Sequence, residues 1–594
     1  MNVLGISSFY HDSSACVLGD DGLLFAAQEE RFDRVKGSAS FPIQAVNACL
    51  QAANLTILDI DEIAFYEKPF LKFERVLIDH LRSFPFSYPA FRRTMPPWLA
   101  ERLVLPLQLK KDLAYEKPVR FVKHHLAHAA STFLVSPFEE AAFLTVDGVG
   151  EWTTTTWGVG CGTRVEVRQE IRYPDSLGLL YTAVTTYLGF EANRGEGKVM
   201  ALGGFGRPAH LDRMREILGL RPDGSFRLDP AYFRFSRGGT MWSPRFEREF
   251  GPPRVPKTPL TDRHYDIAAS LQALLEEAML NLARHVHART GMRNLCLAGG
   301  VSLNCAANGR LQDDSPFERI FVQPAAGDGG AALGAAAVVY HAAHGHPRRF
   351  VMEDACIGPE YPVARMRRAL MAKGLPVVQP PTEELLAHVA RRIADGKVVG
   401  WYQGRMEFGP RALGHRSILA DPRNPAMKDL LNAKVKHREP FRPYGASVLA
   451  EAAGEWFHRD TPSPFMLFAV KIRPEKRALV PSAQHVDGTC RHQTVRADRD
   501  PLYHGLIREF AQLTGVPMVI NTSFNDNNEP VVCTPEDAVA CYLKNEIDAL
   551  VLGPFLVEKD GTADLVATGA LAKGEAESSL AAAGPSAPDT GSPA

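Results

Sequence analysis

Several things are missing from this sequence, and each absence excludes a class of protein. There is no charge excess: 67 Lys+Arg stand against 68 Asp+Glu in 594 residues. A net charge of −1 excludes a globally basic nucleic-acid binder and an acidic disordered chain. No run approaches the ~20 apolar residues of a membrane helix, so no membrane partner is expected. The start, Met1-Asn2-Val3-Leu4-Gly5-Ile6, lacks the basic opening and longer apolar run of a signal peptide. The nine cysteines are odd in number and form no Cys-x-x-Cys. Reduced, buried thiols in a cytoplasmic protein are expected, rather than a zinc or disulfide framework. Walker-type GxxxxGK[ST], GxGxxG and GxSxG strings are also absent, so P-loop, Rossmann and serine-hydrolase readings lose support.

What is present is core material for more than one domain. The chain is 45% hydrophobic with 32 Phe. At roughly 100–200 residues per domain, two to four domains are expected. Stretches 2–7, 14–18 and 23–28 read as strands, the last two joined into a hairpin by Gly19-Asp20-Asp21-Gly22. Further strands are expected at 63–66, 119–122, 141–147 and 153–159. Apolar residues at 267, 271, 274, 278, 282 and 286 mark a helix, with Asp262 or Asp266 as its cap. Strand groups crossed by helices imply an α/β protein. Two stretches repeat a strand–glycine–helix plan, 295–298 into Gly299-Gly300 and 319–323 into Gly327-Asp328-Gly329-Gly330.

The pattern breaks over 342–362, which divides the chain into 1–350 and 351–561. A helix at 382–394 and a strand at 397–402 open the second part. Residues 562–594, rich in Ala, Gly, Ser and Pro, read as a disordered tail. Segment 68–117 mixes aromatic, proline and basic residues and reads as an inserted helical cap. It either faces substrate or covers a sheet edge.

Four motifs carry chemistry. In Lys123-His124-His125-Leu126-Ala127-His128, a helix would put His124 and His128 on one face, where two imidazoles can share a metal. A pair of plain helix-surface histidines is the bland alternative. Asp147 and Asp328, each beside glycines, could complete a two-His, two-Asp set suited to Fe, Mn or Zn. Each Asp alone would be an ordinary turn or cap residue. Second, Asp147-Gly148-Val149-Gly150, Gly299-Gly300-Val301-Ser302-Leu303-Asn304 and Gly195-Glu196-Gly197-Lys198 could cradle phosphate or adenosine, or could simply turn. Third, residues 405–442 carry nine Lys/Arg against four acids. Arg411, Lys436 and Arg442 lie in this run, and guanidinium forks match phosphate oxygens. A solvated basic face would not be interrupted by so many prolines and glycines. Fourth, a strand ends in Asn521-Thr522-Ser523-Phe524-Asn525, where amides and hydroxyls could bind phosphate or mark a turn.

These residues, together with Gly5-Ile6-Ser7, His11-Asp12-Ser13-Ser14-Ala15, Glu29-Glu30-Arg31-Phe32, Glu196-Gly197-Lys198-Val199-Met200 and Arg405-Met406-Glu407-Phe408-Gly409-Pro410-Arg411-Ala412-Leu413-Gly414, resemble the O-carbamoyltransferases of nodulation-factor, aminoglycoside and cephamycin biosynthesis. The resemblance runs in order over about residues 1–560. It implies a first half like the tRNA threonylcarbamoyl-transferase domain, a duplicated actin/hexokinase-type (ASKHA) α/β fold, and a YrdC-like second half. It also implies a two-step reaction. Carbamoyl phosphate and ATP give carbamoyl-adenylate in the second half, and an acceptor hydroxyl takes the carbamoyl group in the first.

By resemblance, His124, His128, Asp147 and Asp328 hold a divalent metal, Fe(II) first and Mn or Zn after it. Gly148, Gly150, Lys198, Gly299, Gly300 and Asn304 take the adenylate. Arg411, Lys436, Arg442, Met466, Arg491, Asn521 and Ser523 take carbamoyl phosphate and ATP, with Mg a possible companion of ATP. His11 is the expected acceptor of the hydroxyl proton, since imidazole titrates near neutral pH, and Lys36 is expected to touch the intermediate. The partner is a small hydroxyl acceptor of natural-product or sugar type, not a nucleic acid. Its identity does not carry over, because Ser8-Phe9-Tyr10 is the generic bacterial form, and a homodimer is compatible with the sequence. Two other readings stay open: a tRNA-modifying carbamoyl-type transferase and a non-catalytic nucleotide sensor.

Overall fold

The computed structural model describes residues 1–235 and 239–559, so the expected tail at 562–594 lies outside the described residues. The first half contains two five-stranded sheets built to one plan. In the first, β1 (Val3–Ser7), β2 (Ser14–Gly19), β3 (Gly22–Gln28), β4 (Glu62–Phe65) and β5 (Val119–Phe121) lie in the order β3-β2-β1-β4-β5. In the second, β6 (Glu140–Val146), β7 (Thr153–Cys161), β8 (Arg164–Arg172), β11 (Asn294–Ala298) and β12 (Arg319–Val322) lie in the order β8-β7-β6-β11-β12. In both, the first strand is antiparallel to the second and parallel to the fourth. The duplicated actin/hexokinase-like arrangement is therefore visible in the chain's own topology. A small hairpin, β9 (Leu218–Leu220) and β10 (Phe226–Leu228), stands apart.

The strands β1, β2 and β4 are buried throughout, which is why they read as short apolar runs rather than alternating ones. The expected long helix is Asp262–Thr290. Its cap is Thr261, whose N–H donates to His264 Nδ1 at 3.0 Å. Neither Asp262 nor Asp266 fills that place; Asp266 instead accepts from the Arg207 N–H at 2.8 Å. Gly291, at φ 65°, ends the helix in the left-handed region.

The second half forms one eight-stranded sheet. Its strands are β13 (Val399–Tyr402), β14 (Arg416–Ala420), β15 (Gly445–Leu449), β16 (Ala469–Lys471), β17 (Thr489–Val495), β18 (Met518–Ser523), β19 (Ala549–Leu552) and β20 (Phe555–Glu558). They lie in the order β16-β17-β15-β18-β14-β13-β19-β20. The helix Thr382–Ala394 packs on this sheet with the helix Pro501–Thr514. Segment 68–117 is helical, with helices at Pro69–Arg82, Tyr88–Pro97 and Leu105–Leu113. Among the described residues no helix is long and apolar enough to cross a membrane.

The halves are docked closely. Arg31 donates to the Gly409 carbonyl at 2.7 Å, Arg34 to the Val531 carbonyl at 2.7 Å, and Asn308 to the Leu467 carbonyl at 3.0 Å. A Cβ on Gly309 would collide with the Ala469 carbonyl, so the helix Cys305–Asp314 lies directly against β16.

Candidate active site

Three element ends converge in the first half. β6 ends at Val146 and releases Asp147, the helix His124–Phe133 begins at His124, and the helix Asp328–Ala337 begins at Asp328. The two helices approach because Gly334 has no side chain; a Cβ there would collide with the Ala127 carbonyl. Gly5 likewise lets β1 approach Ala332. Small residues thus bring the two helix N-termini to the carboxyl ends of the parallel strands β6 and β11, the usual ligand position in open α/β sheets.

At this point His124 Nε2 lies 3.1 Å from Asp147 Oδ2, 3.1 Å from His128 Nε2 and 3.7 Å from Asp328 Oδ1. His128 Nε2 lies 3.6 Å from Asp328 Oδ1 and 3.8 Å from Asp147 Oδ2. One donor atom from each of the four buried residues falls within 4.8 Å of the others. A tetrahedral ion with bonds of ~2.1 Å spaces its ligands by roughly 3.4 Å, so these separations suit one ion. Two ring nitrogens 3.1 Å apart can share only one proton, whereas a cation satisfies both. Asp328 Oδ1 is buried and has no hydrogen-bond partner among the described residues. A buried carboxylate oxygen left without a hydrogen bond calls for a partner, so the donor set fits a divalent metal. Without one, burial opposes charge on His128, but Asp147 and Asp328 outweigh it and push its pKa up to about 9.

The glycines expected at a nucleotide have packing duties here. Gly300 N–H donates to Asp147 Oδ1 at 2.9 Å. Gly299 sits at φ 90°, and a Cβ would strike Val146 backbone. A Cβ on Gly150 would stand 2.9 Å from the His124 ring. Gly148 alone faces open space. Asn304 caps the helix Cys305–Asp314, accepting from Ala307 N–H at 3.0 Å, and exchanges hydrogen bonds with Gln272.

His11 stands beside this centre, half-buried, 2.9 Å from Asp12, its ring tilted against that of Tyr10 with centroids 4.6 Å apart. The expectation of a near-neutral imidazole needs correction. Burial lowers its pKa, but Asp328 and Asp12 outweigh that and push it up to about 9. His11 therefore carries its proton while no cation is held between those carboxylates.

Glu151 was missed by sequence reasoning. Its buried carboxylate accepts from His124 N–H at 3.0 Å and Lys68 N–H at 2.9 Å, fastening the first residue of the histidine helix to the start of the cap. A negative charge is favourable at a helix N-terminus. The available signal was its place directly after Gly150.

The second half gathers cations. Arg411 Nε and Arg491 Nε are buried and have no partner among the described residues. Burial, with Arg491 and Arg442 nearby, pushes the Arg411 pKa down to about 9. Burial and Arg438 push Arg442 down to about 10, against Glu439. Lys36 reaches this group from the first half: enclosure by protein, then Arg442, Arg194 and Arg31, lower its pKa against Glu30. Lys198 also arrives from the first half, donating to Glu439 Oε1 at 2.8 Å. Lys198 therefore faces the second half's cluster rather than the metal-type centre.

Three expected phosphate ligands are engaged otherwise. Lys436 Nζ is buried and donates to the Ser523 carbonyl, to Asn525 O at 3.0 Å and to Asn525 Oδ1 at 2.7 Å, so its donors are spent on the chain. Asn521 Nδ2 donates to Ser447 Oγ at 2.9 Å inside the sheet. Ser523 Oγ donates to Asn525 Oδ1 at 2.7 Å. Met466, at φ 57°, is buried against Gly445.

The model of the carbamoyltransferase N-terminus matches residues 2–337, and that of the carbamoyltransferase C-terminus matches 390–559. The chain belongs to the carbamoyltransferase family. It is an enzyme that transfers carbamoyl groups. The uncharacterized protein sll1178 of Synechocystis sp. is 44% identical, over 94% of this carbamoyltransferase and 97% of its own length. Nodulation protein NolNO of Sinorhizobium fredii is 38% identical over 93% of this chain and 80% of its own. Nodulation protein NolO of Bradyrhizobium diazoefficiens is 39% identical over 74% and 79%.

Proposed function

We propose that this carbamoyltransferase is ATP-dependent and acts in two steps at two sites. Residues 351–561, a YrdC-like unit, turn carbamoyl phosphate, water and ATP into carbamoyl-adenylate, releasing phosphate and pyrophosphate. Residues 1–350 then pass the carbamoyl group to a hydroxyl of a small natural-product or sugar acceptor, and AMP leaves. The observation that carries this reading is a pairing of opposites in one closely docked molecule. Four metal-type ligands meet in the first half, while in the second lie Arg411 and Arg491, whose buried Nε atoms have no hydrogen-bond partner among the described residues.

Arg411, Arg442 and Arg491, with Lys36 and Lys198 at the edge, offset the repulsion between carbamoyl phosphate and the nucleotide phosphates. His124, His128, Asp147 and Asp328 would hold a divalent metal, Fe(II) being the first expectation, which supplies Lewis-acid stabilisation to the adenylate phosphate. With the charge of Asp328 compensated, His11 loses a main support for its proton and can accept one from the acceptor hydroxyl. Glu151 holds His124 in place, and Gly300 holds Asp147.

The test is incubation with carbamoyl phosphate and ATP without acceptor. Pyrophosphate release that needs both substrates supports the adenylate step. Carbamoyl transfer that proceeds without ATP sinks it.

A further inference from the structure

The helical cap over residues 68–117 holds a buried cation that neither centre uses. Arg75, on the helix Pro69–Arg82, is only 8% exposed, and its Nε has no hydrogen-bond partner among the described residues. Its guanidinium lies over the Tyr173 ring, 5.3 Å from the centroid. Asp79, one turn along, accepts at Oδ2 from the Tyr173 hydroxyl at 3.0 Å. Lys72, one turn before Arg75, is as deeply buried but is ion-paired with Glu67. A ring face is a weaker partner for a buried guanidinium than an oxyanion.

Arg75 lines a cavity of about 380 Å³, within the ~300–1,000 Å³ range of small-molecule sites. Asp79 and His80 share its wall, Arg93 lines it from the helix Tyr88–Pro97, and Phe235 adds an aromatic face, stacked on Phe233 with centroids 5.1 Å apart. Val76 and Ala90 contribute apolar surface. His80 Nδ1 is buried without a hydrogen-bond partner among the described residues. Burial lowers the His80 pKa against Asp79, so at neutral pH this ring offers a hydrogen bond rather than a charge. Arg75 and Arg93 against Asp79 leave one positive charge in the lining. That excess suits a monoanion, and the planar guanidinium fork matches a carboxylate. A phosphate dianion would bring more negative charge than the lining offsets. The cavity also lies near the first centre. Lys72 Nζ stands 5.2 Å from the centroid of the Tyr10 ring, which is tilted against His11. Arg75 is three residues on, about 4.5 Å further along the helix axis.

We propose that this cap cavity binds an organic carboxylate, gripped by Arg75, with His80 beside it and Arg93 at the mouth. The carboxylate is that of the acceptor, an assignment that rests on the function proposed above, and its hydroxyl then extends toward His11. No bond forms or breaks in the cavity. It selects acceptors that carry an acid group and positions them.

The experiment titrates the full chain with benzoate by isothermal calorimetry, with benzamide as the neutral counterpart. Benzoate is expected to bind at least about tenfold more tightly. Arg75→Met should lose that preference while its melting temperature holds or rises, because an apolar side chain takes the place of a buried charge. Arg75→Lys keeps the charge without the fork and should fall between. Equal binding of benzoate and benzamide, benzoate binding unchanged in Arg75→Met, or a loss accompanied by a lower melting temperature overturns the proposal. So does inorganic phosphate held more tightly than benzoate through Arg75. The acceptor role is read separately, with hydroxy acids and their methyl esters offered beside carbamoyl phosphate and ATP. The acids should show a KM at least about tenfold lower than the esters, and Arg75→Met should erase the difference. Esters carbamoylated as well as acids would overturn the acceptor role. Benzoate bound through Arg75 with no carbamoyl transfer to any hydroxyl would count against the function proposed above and leave the cavity standing.

Discussion

The two polar centres of this carbamoyltransferase solve burial in opposite ways. In the first half, two acids face two histidines, so the group can balance its own charge by holding protons. In the second, Arg411, Arg491 and Arg442 lie close enough to act on one another, with Glu439, 3.9 Å from Arg442, as the acid beside them. The first centre can balance its own charge as a folded object, and in the proposed function it takes a cation. The second is electrostatically unfinished until anions arrive. One suits a resident metal, the other a pair of phosphorylated substrates that come and go.

The largest test separates the centres. Arg442→Ala should lose pyrophosphate release by about a hundredfold or more, while His128→Ala should keep it and lose transfer to acceptor by a similar factor. A shared defect in both variants would break the two-site contrast. Elemental analysis after anaerobic purification should find a divalent metal in the wild type and lose it in Asp328→Ala, with Arg442→Ala unaffected. Next comes the support behind the histidines. Glu151→Gln should weaken metal retention about ten- to a hundredfold, and a titration against a competing chelator would read it. Adenylate formation should be unchanged.

Acid should strike the second half through a different group. His492 is buried and stacked on Phe457 at 4.1 Å, and burial lowers its pKa from 6.5 to about 4. A depressed histidine contributes stability that is present above about pH 6.5 and lost as pH falls toward 4. The loss is about 3 kcal/mol. Urea unfolding of wild type and His492→Gln at pH 7 and pH 4.5 measures it, and the variant should show the flatter acid limb. The smallest effect is expected at the partly exposed Lys198–Glu439 pair, where Lys198→Ala should cost under ~1 kcal/mol of stability.

Much of the first half was legible because its strands are short, apolar and punctuated by glycine. The hairpin of β2 and β3 and the helix Thr382–Ala394 follow directly from local pattern. The histidine pair was legible as a helical i, i+4 spacing and Asp147 and Asp328 by their glycine neighbours; the structure brings these aspartates, 19 and 200 residues downstream of His128, to the pair. Spacing along the chain could not reveal which cations were free. Lys436 and Arg411 look alike in sequence, yet one is consumed by Ser523 and Asn525 and the other is left without a partner at Nε. Nor could it show that Asp328 would hold His11 protonated.

The sequence by itself determined the α/β class, the family and the residue types of the metal-type centre, because period, punctuation and motif order are local properties. Tertiary structure decided which side chains share a charge environment. That depends on close approaches such as Gly334 against Ala127 and Gly300 against Asp147, which join segments distant in the chain. A buried charge takes its character from its neighbours, and only the folded chain chooses them.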